Sequence, residues 1–415
     1  MDEDHVPVRK KFLCFDLWEP RKWLWTYTIV PSGLRFALHL TAVVVDLVVA
    51  CRLLWSHQLI VAGVVTLSMV YNPVLLTLWL APPQPPQGPR LTDLLAWATS
   101  LTVNIIVSPV LISMSLFKHF TWTIWAIRMK KPCKEVLAEY DECLPREIHS
   151  YMFLQAFTEC APQTVLQLHL LLLGVTNSHL TAGLQAVSVA VSLIKLAWCV
   201  TDYHRYEAQV VGGRTPVLLL SPPQHKVSEE ILPVSYCLLD KVTPLEQDSP
   251  SGKVVLFISW LLLTSGRILC VVVSLEVHLS VTVIVLSTHF SVILLYFLSS
   301  HSTSLLDVPY RLMSAFFSLI SLIEVSVHFH KTPLLYSLFF ILLSVENTFL
   351  MVLFFVYPSD KCASVLSCSH FGMFAYFKIN SNVIGVIMFG IYLSCLRPSP
   401  SLVTADSSTS GSRSS

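Results

Sequence analysis

The sequence predicts an all-α polytopic membrane protein of about eight transmembrane helices plus two re-entrant half-helices, in two pseudo-repeated five-helix halves. Three observations predict it. The 415 residues are 54% hydrophobic and 13% charged, whereas soluble domains carry roughly 25% charged residues, and the mean hydropathy is +0.65. Apolar runs long enough to enter a bilayer recur along most of the chain. Lysine and arginine concentrate in alternate loops, as they do on the cytosolic side of membrane proteins.

Taken in order, residues 1–30 interleave Arg9, Lys10, Lys11, Arg21 and Lys22 with Phe12, Phe15, Trp18, Trp23 and Trp25. That mixture suits a cytosolic segment lying at the headgroup boundary. The first long apolar run starts near Leu34, so the first helix is expected to act as its own targeting signal. Ten apolar runs follow, near 34–55, 58–81, 91–117, 148–174, 180–201, 253–275, 278–299, 311–329, 334–357 and 371–395. The 118–147 and 202–252 connections hold most of the loop lysines and arginines and read as cytosolic, while 175–179 has none.

If the first two runs form a hairpin back to the cytosol at Pro82–Arg90, the third enters and leaves on one side. It is therefore expected to be re-entrant and broken around Asn104, Ser108 and Pro109. Arg311 and Lys331 flank the eighth run in the same way, which makes it the second re-entrant candidate. The resulting organisation is an interfacial segment (1–30), a first repeat (31–205), a cytosolic linker (206–252), a second repeat (253–395) and a Ser/Pro-rich tail (396–415) expected to be disordered.

The fourth run, LQAFTECAPQTVLQLHLLLL, carries Gln155, Glu159, Gln163 and Gln167 at every fourth position, with His169 beside them. On a helix that spacing is one slowly winding face, and Pro162 is expected to kink it. Asp46, Lys195, Arg267, Glu324 and Glu346 also lie inside apolar runs. Six such charges facing lipid would cost on the order of 15 to 20 kcal/mol, so they must face protein or water. Ser188, Lys195 and Asp202 are spaced by sevens and share a face, from which Lys195 is expected to neutralise Glu159 or Asp46.

Such a row suits three roles. A seam that only locks helices together is the plainest. A proton relay fits poorly, because glutamine does not titrate. A hydrated stripe that lets a phospholipid headgroup cross while its tails stay in hydrocarbon fits mixed charges and neutral amides at several depths. Hydrolase, ATPase and metal motifs are absent from the sequence, so no enzyme chemistry and no cofactor is expected. A net charge of +1 without basic blocks gives no case for nucleic acid.

Glu159-Cys160-Ala161-Pro162-Gln163-Thr164-Val165-Leu166-Gln167-Leu168 resembles the [ES]-[ST]-A-P-Q-L-x-L-Q-L segment of the XK-related family. Trp198 with Asp202-Tyr203-His204-Arg205, the run-six helix with Arg267, and Glu346-Asn347 resemble further elements of that family in the same order. The resemblance implies eight spans plus two half-membrane helices. Some family members are phospholipid scramblases that expose phosphatidylserine in dying cells after caspase cleavage of a cytosolic tail; others act as partners of membrane proteins. It implies a lipid path through Asp46, Glu159, Asp202 and Arg267, a plasma-membrane location with both termini cytosolic, and a single-span chaperone or partner glycoprotein. Ala50 and Gln155 stand where scrambling members have carboxylates.

In the tail, Val403-Thr404-Ala405-Asp406 followed by Ser407 fits a caspase site. Cys362 and Cys368 lie in an outer loop, where an internal bridge, a bond to a partner glycoprotein as the family resemblance implies, and free thiols are the three readings.

Overall fold

The computed structural model describes residues 28–56, 58–75, 91–129, 146–173, 179–209, 250–299, 308–323, 333–356 and 368–396. Cys362, Glu324 and Asp406 lie outside them, as does the side chain of Cys368.

The described residues are helical, with no strand among them, and each apolar run corresponds to one helix. We label these α1 (Val30–Trp55), α2 (Leu59–Leu75), α3 (Leu91–Arg128), α4, α5 (His179–Gln209), α6 (Pro250–Val277), α7 (Leu279–Ser299), α8 (Val308–Phe317), α9 (Pro333–Val356) and α10 (Cys368–Ile391). α4 joins Arg146–Gln155 and Ala161–Leu172 through a π-helical turn at Ala156–Cys160. α10 runs on into a π turn at Tyr392–Leu396. Among the described residues, seven helices are long and apolar enough to cross a membrane, α1, α3, α5, α6, α7, α9 and α10.

The third run departs from expectation. Leu91–Arg128 is one continuous helix of 38 residues, about 57 Å long at the α-helical rise, rather than a broken re-entrant segment. Pro109 has no N–H for the Ile105 carbonyl four residues back. Ser108 Oγ donates to that carbonyl at 3.1 Å and supplies the missing bond. A serine beside the proline therefore lets the helix run through.

The eighth run is described only as far as residue 323, and 324–332 lie outside the described residues. α8 has 10 residues, about 15 Å, half the thickness of the hydrocarbon core. The chain then leaves helical geometry at 318–323 while staying buried. Non-helical backbone at membrane depth requires partners from protein, and Arg267 and His289 supply them, as described below.

The core lies where α4 and α5 meet α6, α8 and α10. Phe153, Phe157 and Tyr203 pack on Phe317, Trp260, Phe389 and Tyr392. Phe157 and Phe317 rings lie 4.6 Å apart, and His204 stacks on Trp260 at 4.7 Å. α1 packs on α3 through Gly33, where an added Cβ would meet the Phe120 ring at 2.9 Å. Outward positions such as Leu47, Ile60, Ile106, Ile284, Leu295, Ile341 and Ile387 are exposed apolar side chains, the surface that a bilayer solvates.

Candidate functional site: a buried polar seam

The π turn of α4 is the local feature that builds the site. Pro162 crowds the Thr158 carbonyl, and the wider turn just before it relieves that clash. The Ala161 N–H accordingly reaches back five residues to the Ala156 carbonyl. In an α-helix four residues overshoot a full turn by about 40°, so a row at every fourth position winds away. A turn with more residues per revolution turns the row back. Gln155, Glu159, Gln163 and Gln167 are consequently all buried, at 1%, 3%, 1% and 0% exposure.

Two other helices face this row. On α1, Arg35, His39 and Asp46 fall at i, i+4 and i+11, one stripe of the helix. On α5, Ser188, Lys195 and Asp202 form the second stripe. The two helices run antiparallel, so Arg35 Nη2 meets Asp202 at 3.0 Å at one end and Ser188 Oγ donates to Asp46 at 2.6 Å further along. Between them, Lys195 Nζ donates to Gln155 Oε1 at 2.8 Å, and Gln155 Nε2 donates to Glu159 Oε2 at 2.9 Å. His39 Nδ1 approaches the same Gln155 oxygen at 3.3 Å. Gln163 Nε2 donates to the Val65 carbonyl of α2 at 3.2 Å, and Gln167 Nε2 reaches Gln163 at 3.4 Å.

The expected link between Lys195 and Glu159 thus runs through the amide of Gln155. A primary amide has both a donor and an acceptor, so it satisfies the cation on one side and the carboxylate on the other.

Arg267 does not join this seam. Its guanidinium donates to Glu346 at 2.8 Å, to Asn347 Oδ1 at 2.7 Å and, through Nε, to the Leu319 carbonyl at 3.3 Å. His289 Nδ1 faces Glu346 at 2.8 Å and its Nε2 faces the Ser318 carbonyl at 3.1 Å. This second cluster of α6, α7 and α9 takes up the backbone freed where α8 ends. The two carbonyls belong to the non-helical stretch, which explains why an arginine and a histidine are buried here.

The Asp202-Tyr203-His204 stretch connects the halves. Asp202 pairs with α1, Tyr203 packs near Phe153 at 6.0 Å, and His204 contacts Tyr336 Oη at 3.0 Å and Ser321 Oγ at 3.1 Å. His169 and Glu276 make a second link, Nδ1 to Oε1 at 2.5 Å, between α4 and α6. Arg35, His39, His289 and Glu276 were not singled out from the sequence. The 4/7 spacing of Arg35 and His39 with Asp46 was the available signal on α1; Glu276 and His289 lie on runs with no polar periodicity.

Fold and site define an all-α multi-pass membrane protein with a charged and amide-rich seam buried among the helices of its first half. Residues 32–213 are similar to the XK-related protein family model. No curated protein matches the chain.

Proposed function

We propose that the chain is a passive phospholipid scramblase, moving lipids including phosphatidylserine between leaflets along the α1/α4/α5 seam. The observation that supports this reading is the composition of the seam. Arg35, Asp202, Lys195, Gln155, Glu159, Asp46, Ser188, Gln163 and Gln167 offer charges of both signs, amides and a hydroxyl in succession along the helix axes. A zwitterionic headgroup needs replacement donors and acceptors at each depth, and no single tight site. The path needs no energy source, and the cargo is membrane phospholipid.

In this structure the seam is closed: its members are hydrogen-bonded, and all but the half-buried Arg35–Asp202 pair are buried. Opening therefore exchanges Lys195–Gln155–Glu159 contacts for lipid contacts. Cleavage after Asp406 in apoptosis, or a single-span partner glycoprotein at the plasma membrane, is the proposed trigger. The complete burial of the row also favours a second reading, a non-transporting subunit that anchors a partner membrane protein and uses the seam as helix glue.

Lipid flip in liposomes holding the purified chain, intact or truncated after Asp406, separates the two. Flip that appears on truncation and changes with Glu159→Gln is expected. Absence of flip in both forms, under conditions where a known scramblase works, would favour the subunit reading.

A further inference from the structure

Asn104 stands at the middle of the apolar run 91–117. Because α3 is one continuous helix there, the residue does not mark a break, and its side chain is exposed on the lipid-facing surface. Thr99 and Thr102, exposed on the same helix, donate to their own helix carbonyls at 2.8 and 2.9 Å, so hydrocarbon can surround them. The Asn104 amide makes no hydrogen bond among the described residues. An amide left unpaired in hydrocarbon is costly.

The residues around it form a regular face. Trp97, Ser100, Asn104, Val107, Leu111 and Met114 follow at alternating steps of three and four, the spacing of a coiled-coil contact with Asn104 at an a-type position. All six are exposed or half-buried. The face that α3 buries on α1 and α4, with Ile112, Leu116, His119 and Thr123, lies about 100° round the helix. The heptad face is therefore left open by the fold. Asp93 and Lys118 continue the same spacing at its two ends, about 17 and 21 Å from Asn104 along the axis. A hydrocarbon core about 30 Å thick centred on Asn104 ends between them.

Whatever covers this face must bring a donor and an acceptor to the depth of Asn104. A second α3 does so by symmetry. A two-fold axis along the membrane normal sets the two helices parallel, with each residue facing its counterpart at the same depth. A primary amide is self-complementary, since it donates through nitrogen and accepts through oxygen, and asparagine at an a position fixes register in parallel coiled coils. Asp93 and Lys118 would face their like-charged counterparts only in the headgroup layer, where water and salt screen them.

We propose that α3 pairs in parallel with α3 of a second copy of this chain, the two Asn104 amides hydrogen-bonded to each other at mid-bilayer. The surface is apart from the α1/α4/α5 row and does not depend on whether the chain scrambles lipid.

The test is sedimentation of the full chain in density-matched neutral detergent, joined to oxidative cross-linking of single-cysteine additions in liposomes. The wild type is expected to sediment as a dimer. Asn104→Leu is expected to weaken that dimer about tenfold, the scale of one interhelical hydrogen bond in a membrane, and Asn104→Gln to retain most of it. Ser100→Cys is expected to add a cross-linked dimer above the wild-type background, whereas Ile106→Cys, exposed on another side of α3, is not. A wild-type monomer, which needs no variant to fold, would overturn the proposal and leave the face to a helix of a different protein. Equal cross-linking at positions 100 and 106 would overturn it too, as would a folded Asn104→Leu protein that dimerises as tightly as the wild type.

Discussion

The Lys195–Gln155–Glu159 chain makes a quantitative claim about the seam. Lys195→Met removes the hydrogen bond to Gln155 and leaves the nearby Asp46 and Glu159 carboxylates buried without their cation. Breaking a buried charge pair from one side costs about 3 to 5 kcal/mol. Glu159→Gln keeps an acceptor for Gln155 Nε2 and leaves Lys195 its bond to Gln155, so it should cost less, about 1.5 to 3 kcal/mol, the scale of one hydrogen bond to a charged group. The double variant removes both charges and retains a neutral amide ladder. Its loss should fall short of the sum by about 1 to 3 kcal/mol if the two charges communicate through Gln155. Equilibrium unfolding of the detergent-purified chain, followed by helical signal, gives the three values. Losses that add within about 0.5 kcal/mol would refute the relay through Gln155, since independent sites behave that way.

Other expectations follow from single contacts. Arg267→Met strips Glu346, Asn347 and the Leu319 carbonyl together and should destabilise the chain by about 3 to 5 kcal/mol; an unchanged melting temperature would count against the second cluster as the anchor of α8. Ser108→Ala should cost about 1 kcal/mol by orphaning the Ile105 carbonyl, and Pro109→Ala in the same background should restore it, both read from thermal unfolding. Gly385→Ala forces a Cβ to 2.8 Å from Leu263 and 3.3 Å from the Ser259 carbonyl, so a loss of about 1 to 3 kcal/mol is expected. Gly63→Ala meets nothing within 4 Å and should stabilise its helix by about 0.5 to 1 kcal/mol; a Gly385→Ala variant as stable as Gly63→Ala would show that the α6/α10 approach is looser than described.

Helix number, order and approximate ends were legible in the sequence, because a bilayer demands long apolar runs and each run satisfies its own backbone locally. The Gln155/Glu159/Gln163/Gln167 row and the Ser188/Lys195/Asp202 face were legible too, since periodicity along one helix is a property of that helix alone. The pairing of those faces was not. That Arg35 takes Asp202, that Gln155 stands between Lys195 and Glu159, and that Arg267 belongs to a separate cluster with Glu346 and His289 depend on which helices touch and in what register. Periodicity carries no information on either. The third run shows the same division at small scale: Pro109 marked a break, and Ser108, one residue before it, bonds the Ile105 carbonyl that Pro109 cannot. Local chemistry proposed the helices, and the contacts between them decided which buried charges share a site.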